Sequence, residues 1–293
     1  MKKLSLEKKQ NFTGWAMIIP AALLIAVFSF YPMIQAFIQS LQTGRLGQME
    51  FAGIFNYQRL FRDRVFMQSL RNTVLYLIIQ VPIMQFLALI LATQLNRKDL
   101  KFKGLLRTLI FLPSATSLVS YSIIFKSMFA VDGFINEFLV NLGFIEYPLN
   151  WLGTPHLAKF VIIIALIWRW TGYNMIFFLA GLQNIEPSIY EAARIDGASS
   201  WKQLTKITIP LLRPIILLNF ITSTNGTLQL FDESMNLTGG GPANATITMS
   251  HYIYDTAFSY NPNFGYVSAL SVFVLVLVAI PSLMQLRVGD SRD

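Results

Sequence analysis

Catalysis by this chain would need nucleophiles, acid–base groups or metal ligands at characteristic spacings, and the sequence offers few of them. Cysteine is absent, which removes disulfides, thiolate metal sites and cysteine nucleophiles. The two histidines, His156 and His251, have no nearby carboxylate cluster, so we predict no metal site. Neither a G-x-S-x-G nor an H-E-x-x-H pattern occurs. The sequence therefore predicts a protein that is not an enzyme.

Nucleotide binding by this chain is also disfavoured. No G-x-x-x-x-G-K-[ST] loop is present, and the glycine-rich run 239–242 lacks both the lysine and a following helix. We expect no cofactor in this chain. The net charge of +8 could suggest nucleic-acid binding, but the distribution of the basic residues along the chain argues against it.

Outside the apolar runs, the polar segment 183–210 carries the clearest signals of helix starts and helix ends. Pro187 suits the first position of a helix, where its missing N–H costs nothing. Gly197 stands where a helix end needs a residue that tolerates positive φ. These residues predict a short amphipathic helix that ends just before Gly197. An ordinary solvated loop is the alternative interpretation.

A second short helix is predicted in the same segment. Ser200 and Gln203 have the spacing of a capping box, and the helix should run to about Ile207. Pro210 should then end it. The segment therefore reads as a helix–turn–helix between two apolar runs.

The apolar runs predict an all-α integral membrane protein. The chain is 54% hydrophobic and only 13% charged, and runs of about 20 apolar residues can cross a bilayer as helices. Six such runs are predicted in a single transmembrane domain that covers residues 1–293: 15–38, 73–95, 105–129, 158–181, 214–232 and 264–286.

The basic residues predict the orientation of these spans. With the N-terminus inside, two of the outside loops, 130–157 and 233–263, contain no Lys or Arg. The first outside loop breaks the trend with Arg45, Arg59, Arg62, Arg64 and Arg71. The total still predicts that both termini, and the polar segment 183–210, are cytoplasmic.

The polar segment resembles the EAA loop of permease subunits of ATP-binding cassette importers. The pattern E-A-A, three residues, G, nine residues, I-x-L-P matches at every anchor, except that Ile209 replaces the usual Leu. The resemblance implies a type I importer permease whose loop contacts an ATPase. The implied coupling residues are Glu191, Ala192, Ala193, Asp196, Gly197 and Ala198.

Further runs resemble MalF-like carbohydrate permeases. They are Phe231-Asp232, the stretch 237–246 (LTGGGPANAT), Leu112-Pro113 and the stretch 170–174 (WTGYN). The resemblance implies a second, MalG-like permease, two cytoplasmic ATPase subunits that bind ATP and Mg, and an external sugar-binding protein. It implies a multi-pass protein of a bacterial inner or plasma membrane, in contact with lipid and not with nucleic acid.

The resemblance to MalF-like permeases also implies candidate residues for the substrate path: Ser114, Leu118, Trp168, Thr171, Gly172, Ser223, Thr227 and Leu230. The spacing i, i+4, i+7 places Ser223, Thr227 and Leu230 on one helix face. Hydrogen bonding between helices is an equally good interpretation of these hydroxyls. Leu118, Trp168 and Leu230 depart from the polar residues that bind maltose, which argues against maltose as the cargo.

Arg169 is a charged residue in the middle of a predicted span, and such residues are functional candidates by default. It could face a substrate cavity, which would favour an anionic or strongly polar sugar derivative. It could instead snorkel or pair with an acidic residue of a partner chain.

The sequence is compatible with three functions. The first is a sugar importer permease, and the second is a permease for another small solute, such as glycerol-3-phosphate esters or polyamines. The third is a membrane scaffold or enzyme whose loop recruits a regulator.

Overall fold

The computed structural model of the chain describes residues 6–45, 48–97, 99–259 and 263–289. Its helices and strands, in chain order, are α1 (Leu6–Ile25), α2 (Tyr31–Ser40), β1 (Gln42–Arg45), β2 (Gln48–Phe51), α3 (Phe55–Arg62), α4 (Arg64–Leu95), α5 (Lys103–Ala115), α6 (Leu118–Met128), α7 (Phe134–Asn141), α8 (Pro155–Gln183), α9 (Pro187–Ile195), α10 (Ser200–Gln203), α11 (Ile209–Leu211), α12 (Arg213–Leu228), α13 (Met249–Tyr254) and α14 (Phe264–Gly289). Short π-helical turns cover Ala26–Phe30, Leu204–Thr208, Ser234–Thr238 and Asp255–Ser259.

The chain divides into two compact units. The first contains residues up to Arg62 together with Asp255–Phe273, and the second contains Asp63–Tyr254 together with Val274–Asp293. The single transmembrane domain inferred from the sequence stays a prediction.

In the first unit, a small antiparallel hairpin of β1 and β2 pairs Gln42 with Phe51. The Asn56 side chain holds the hairpin to α2 by donating to the carbonyls of Ser40 and Gln42. The most apolar stretch of the helix Thr13–Ser40 buries none of its residues within the chain. This surface is therefore available to lipid or to a partner.

In the second unit, α4 and α8 lie side by side, and α5 and α12 pack against them. One apolar core, which includes Tyr121 and Val161, joins α4, α6 and α8. A second core, which includes Ala88 and Phe178, joins α4, α8 and the start of α12. The two cores are separated along α4 and α8 by the polar residues described below.

Within the described residues, four helices are long and apolar enough to span a membrane, and two bent helix pairs bring the number to six if each pair is one span. The predicted third span is not straight, because α5 and α6 meet at 96°. The break falls at Thr116 and Ser117, whose backbones are extended, and not at Pro113 itself. Ser114 and Thr116 donate to carbonyls of the preceding turn, which weakens the helix there.

The prediction for the fifth span also needs correction. Its helix α12 ends at Leu228, so Asp232 lies beyond it. Pro210 does not end the preceding helix, which continues to Leu211 and bends by 73° before Arg213. A π-helical turn ends at Thr208, two residues before Pro210, and its wider bonding accommodates a residue without an N–H.

Candidate coupling loop and membrane cavity

The segment 183–210, hereafter the coupling loop, begins with α9. Pro187 occupies the first turn of this helix, as predicted. Gly197 has φ of +73°, and its N–H donates to the carbonyl of Arg194. The N–H of Ala198 donates to the carbonyl of Ala193 at 2.9 Å. These two bonds form a Schellman motif, which explains why a residue tolerant of positive φ stands at position 197.

The second helix of the coupling loop begins one residue earlier than the capping-box prediction. Ser199, not Ser200, is the N-cap, and its hydroxyl accepts from the N–H of Lys202. The Gln203 side chain donates to the carbonyl of Ala198 at 2.8 Å, which ties the start of this helix to the end of α9.

The two helices of the coupling loop are held together, and most of the motif faces outward. The Tyr190 and Thr208 hydroxyls hydrogen-bond at 3.0 Å, and Ala193 is buried at the contact. The remaining predicted coupling residues Glu191, Ala192, Asp196 and Gly197 are exposed, and Ala198 is half-buried.

Two large apolar side chains accompany the exposed part of the motif. Ile195 is 87% exposed and Trp201 is 67% exposed. Among the described residues, the only ion pair joins Arg97 and Asp99, so Glu191 and Asp196 keep their charges available. The outer surface of the coupling loop thus combines apolar and acidic groups without partners within the described chain.

A cavity of about 350 Å³ lies where α4, α8 and α12 meet, and we call it the membrane cavity. Its volume falls within the range of small-molecule sites. Its wall includes Gln80 of α4, Trp170, Tyr173 and Asn174 of α8, Ser223 and Thr227 of α12, and Leu230, Asp232 and Glu233 of the segment that follows α12.

The wall of the membrane cavity combines aromatic and hydrogen-bonding groups. The rings of Trp170 and Tyr173 meet edge to face, with centroids 5.8 Å apart. The Thr227 hydroxyl donates to the Gln80 side chain at 3.2 Å. Aromatic faces and hydroxyl or amide groups are the chemistry that a polyhydroxylated ligand needs.

A buried polar cluster joins the three helices beneath the membrane cavity. The Gln85 amide donates to the Asn174 side-chain oxygen at 3.0 Å and contacts the Ser223 hydroxyl at 2.8 Å. The Asn219 amide donates to the carbonyl of Asn174. Ser223 therefore bonds between helices, as one interpretation of these hydroxyls expected, and it also lines the cavity, where its contact with substrate stays a prediction.

Of the predicted substrate-path residues, the structure brings Ser223, Thr227 and Leu230 to the membrane cavity. The carbonyl of Leu230 accepts from the hydroxyl of Thr248, which fixes the chain just beyond α12. These three positions remain candidates for substrate contact.

The other candidates lie away from the wall of the membrane cavity. Ser114 and Thr171 donate to carbonyls of their own helices. A Cβ at Gly172 would overlap the carbonyl oxygen of Ile110, so this glycine permits close contact between α5 and α8. Leu118 begins α6 next to the apolar core.

Trp168 and Arg169 also lie outside the wall. Trp168 is 45% exposed and stacks on Tyr121 with centroids 6.1 Å apart. Arg169 is 5% exposed, and its guanidinium lies over the rings of Tyr121 and Trp170 at 4.9 and 5.5 Å. It therefore does not snorkel, and Glu233 of the same chain is the acidic group that interacts with it electrostatically.

Sequence reasoning missed Gln80, Gln85 and Glu233. The signal for Gln80 and Gln85 was present, because uncharged polar residues inside an apolar run tend to face other helices. Glu233 gave no such signal, since it lies past the end of the apolar run and is carried inward by the following loop.

The stretch 237–246 (LTGGGPANAT) lies in the loop after α12, and its residue types are those that the loop requires. Thr246 donates to the carbonyl of Gly241 and hydrogen-bonds the hydroxyl of Thr238 at 2.6 Å. Gly239 and Gly240 have φ of +59° and +78°. His251 hydrogen-bonds Ser234 at 2.8 Å, so it serves the structure of this loop. The described residues contain no group of His, Cys, Asp and Glu side chains that could hold a metal.

The chain is similar to known transport proteins along nearly its whole length. It is 51% identical to the lactose transport system permease protein LacF of Rhizobium radiobacter, covering 98% of this chain and 97% of LacF. It is 35% identical to the trehalose/maltose transport system permease protein MalF of Thermococcus litoralis, covering 98% and 97%.

A solved structure has the same fold. It belongs to a bacterial ABC transporter involved in the import of the acidic polysaccharide alginate. The TM-score is 0.84, with 23% identity, over 97% of this chain and 96% of that chain. The predicted type I permease fold is confirmed by this match.

The family assignment rests on both the motif and the whole chain. Residues 84–291 match the family model described as the binding-protein-dependent transport system inner membrane component. The coupling loop and the membrane cavity both lie within or beside that match. Members of this family are transport permeases, so the prediction that the chain is not an enzyme is confirmed. The chain belongs to the family of inner-membrane components of binding-protein-dependent transport systems.

Proposed function

We propose that this chain forms one half of the translocation path of an ATP-driven sugar importer, with both termini in the cytoplasm. The second half would be a MalG-like permease, and an external binding protein would deliver the sugar. Relatives whose names refer to lactose and to trehalose and maltose support a sugar of at least two units. The membrane cavity, with its aromatic and hydroxyl groups, supports the same cargo.

The observation that carries this proposal is the outer surface of the coupling loop. Glu191, Asp196, Ile195 and Trp201 are exposed together on a segment whose backbone is fixed by the Schellman motif and by the Tyr190–Thr208 bond. A rigid element with unpartnered apolar and acidic groups is suited to docking on another protein. We propose that two cytoplasmic ATPase subunits, which bind ATP and Mg, occupy it and its counterpart on the second permease.

The bend between the coupling loop and α12 links the proposed docking surface to the membrane cavity. The coupling loop continues directly into α12 through a 73° bend, and α12 carries Ser223 and Thr227 to the membrane cavity. When the ATPase pair closes, it would displace the loop as one body and move α12 with it. The access of the cavity would then alternate between the two sides of the membrane.

The proposal is tested by purifying the chain in mild detergent after expression from its native operon, and by identifying the proteins that accompany it. We expect a second permease and an ATPase. Glu191→Lys should remove the ATPase while the second permease remains, because the change reverses an exposed charge without touching the described packing. Asp132→Lys, which reverses an exposed charge outside the loop, is the matched control. A chain that never carries an ATPase would refute the proposal.

A further inference from the structure

Two carboxyl groups line the membrane cavity, and one of them has an unused hydrogen-bond acceptor. Asp232 is half-buried, and Glu233 is 3% exposed. The Oε1 atom of Glu233 has no hydrogen-bond partner within the described part of the chain. A buried acceptor left unpaired is costly, and a ligand that donates an O–H or N–H would satisfy it.

The positive charge nearest to this site does not reach the cavity. Arg169 interacts electrostatically with Glu233, but it lies against the rings of Tyr121 and Trp170 and is absent from the cavity wall. It can offset the charge of Glu233, and its Nε and Nη1 atoms have no hydrogen-bond partner within the described part of the chain, but the residue does not line the cavity. The charge of Asp232 has no such compensation in the wall.

All other described residues of the cavity wall are uncharged. A ligand carboxylate or phosphate placed there would meet two carboxyl groups in the wall, and the one nearby cation, Arg169, lies outside the wall and offsets only Glu233. In a site of reduced dielectric constant, this repulsion is much stronger than in water. A neutral sugar would instead donate hydroxyl protons to Glu233 and lay its apolar face on Trp170 or Tyr173.

We propose that Asp232 and Glu233 determine the charge of the cargo, so that the membrane cavity accepts uncharged sugars and rejects anionic ones. This inference rests on the proposed function, because it assumes that the membrane cavity holds the sugar. It reverses the expectation that Arg169, if it faced the cavity, would favour an anionic sugar. It also removes phosphate esters from the candidate solutes.

The test is a binding titration of the full-length chain, purified with the second permease and the ATPase subunits but without the binding protein, using two sets of three related probes. Lactose, lactitol and lactobionate share a galactosyl group, and maltose, maltitol and maltobionate form a second set. In the sugar alcohol and in the acid alike, the terminal sugar unit is open-chain, but only the acid is charged. Comparing these two therefore isolates the effect of the charge from the effect of opening the ring. Tryptophan fluorescence reports binding because Trp170 lines the cavity, and calorimetry checks it independently.

We expect the neutral alcohol to bind at least about tenfold more tightly than the acid, a free-energy difference of about 1.4 kcal/mol. Asp232→Asn should reduce that ratio to about threefold or less by weakening the repulsion. Glu233→Gln keeps a hydrogen-bond acceptor, so the neutral sugars should still bind. The ratio of alcohol affinity to acid affinity should decrease. Asp132→Asn removes the same charge outside the cavity wall and should leave the ratio unchanged.

Two results would overturn the inference. One is an acid that binds as tightly as its alcohol, and the other is a ratio unaffected by Asp232→Asn. A different failure, in which no member of either set binds while the ATPase still co-purifies, would refute the cavity as the sugar site and leave the importer assignment intact.

Discussion

The coupling loop provides a prediction in which one backbone angle can be changed without disturbing any packing. Gly197 has φ of +73°, and a Cβ added there would have no heavy atom within 4 Å. Gly197→Ala therefore introduces no clash, and its cost is that of an L-residue in the left-handed region, about 1–2 kcal/mol. The docking-competent loop should become about 5- to 30-fold less populated relative to its alternatives.

Three substitutions at this position should form a graded series. Asn tolerates the left-handed region better than Ala, so Gly197→Asn should cost the least. Gly197→Pro fixes φ near −65° and removes the N–H that donates to Arg194, so it should abolish the Schellman motif. Gly104→Ala is the matched control, because a Cβ there also lies in open space but φ is not positive.

The series is measured by the amount of ATPase that co-purifies with each variant, normalised to the second permease, and by sugar uptake into reconstituted vesicles. We expect both readouts to fall in the order Asn, Ala, Pro while Gly104→Ala matches the unmodified chain. Equal retention of ATPase by the Asn, Ala and Pro variants would show that the φ of residue 197 does not control docking. Loss of both partners together would indicate misfolding rather than lost coupling.

Three further predictions concern the second unit. Gly172→Ala should lower the midpoint of thermal unfolding, at a cost of about 1–3 kcal/mol, because its Cβ would overlap the backbone of Ile110; an unchanged midpoint would contradict the close helix contact. Gln85→Leu should destabilise the chain by about 1–3 kcal/mol in the same assay, because it removes the amide that donates to the Asn174 side-chain oxygen and to Ser223; unaltered stability would argue against the cluster. Thr227→Leu should change the relative affinities for neutral disaccharides in calorimetry without reducing ATPase co-purification, and identical affinities would remove Thr227 from the site.

The sequence by itself determined the features that depend on local chain order. The turn of the coupling loop follows from Pro187 and Gly197, since a missing N–H and a positive φ are requirements of single positions. The number of apolar runs likewise follows from composition over about 20 residues. The helix end predicted at Pro210 was wrong. A π-helical turn before this proline relieves the constraint that proline imposes, so the helix continues to Leu211.

Only the tertiary structure decided which polar residues share the membrane cavity. Gln80 and Thr227 are far apart in sequence, and their hydrogen bond exists because α4 and α12 pack against each other. Arg169 sits in the middle of a span, yet it is turned towards aromatic rings, while Glu233 is carried into the cavity by the loop that Thr238 and Thr246 hold together. Local propensity sets where a helix begins and ends, but the direction of a side chain depends on which neighbouring helix packs against it. The sign of the charge in the cavity is therefore a property of the packed chain.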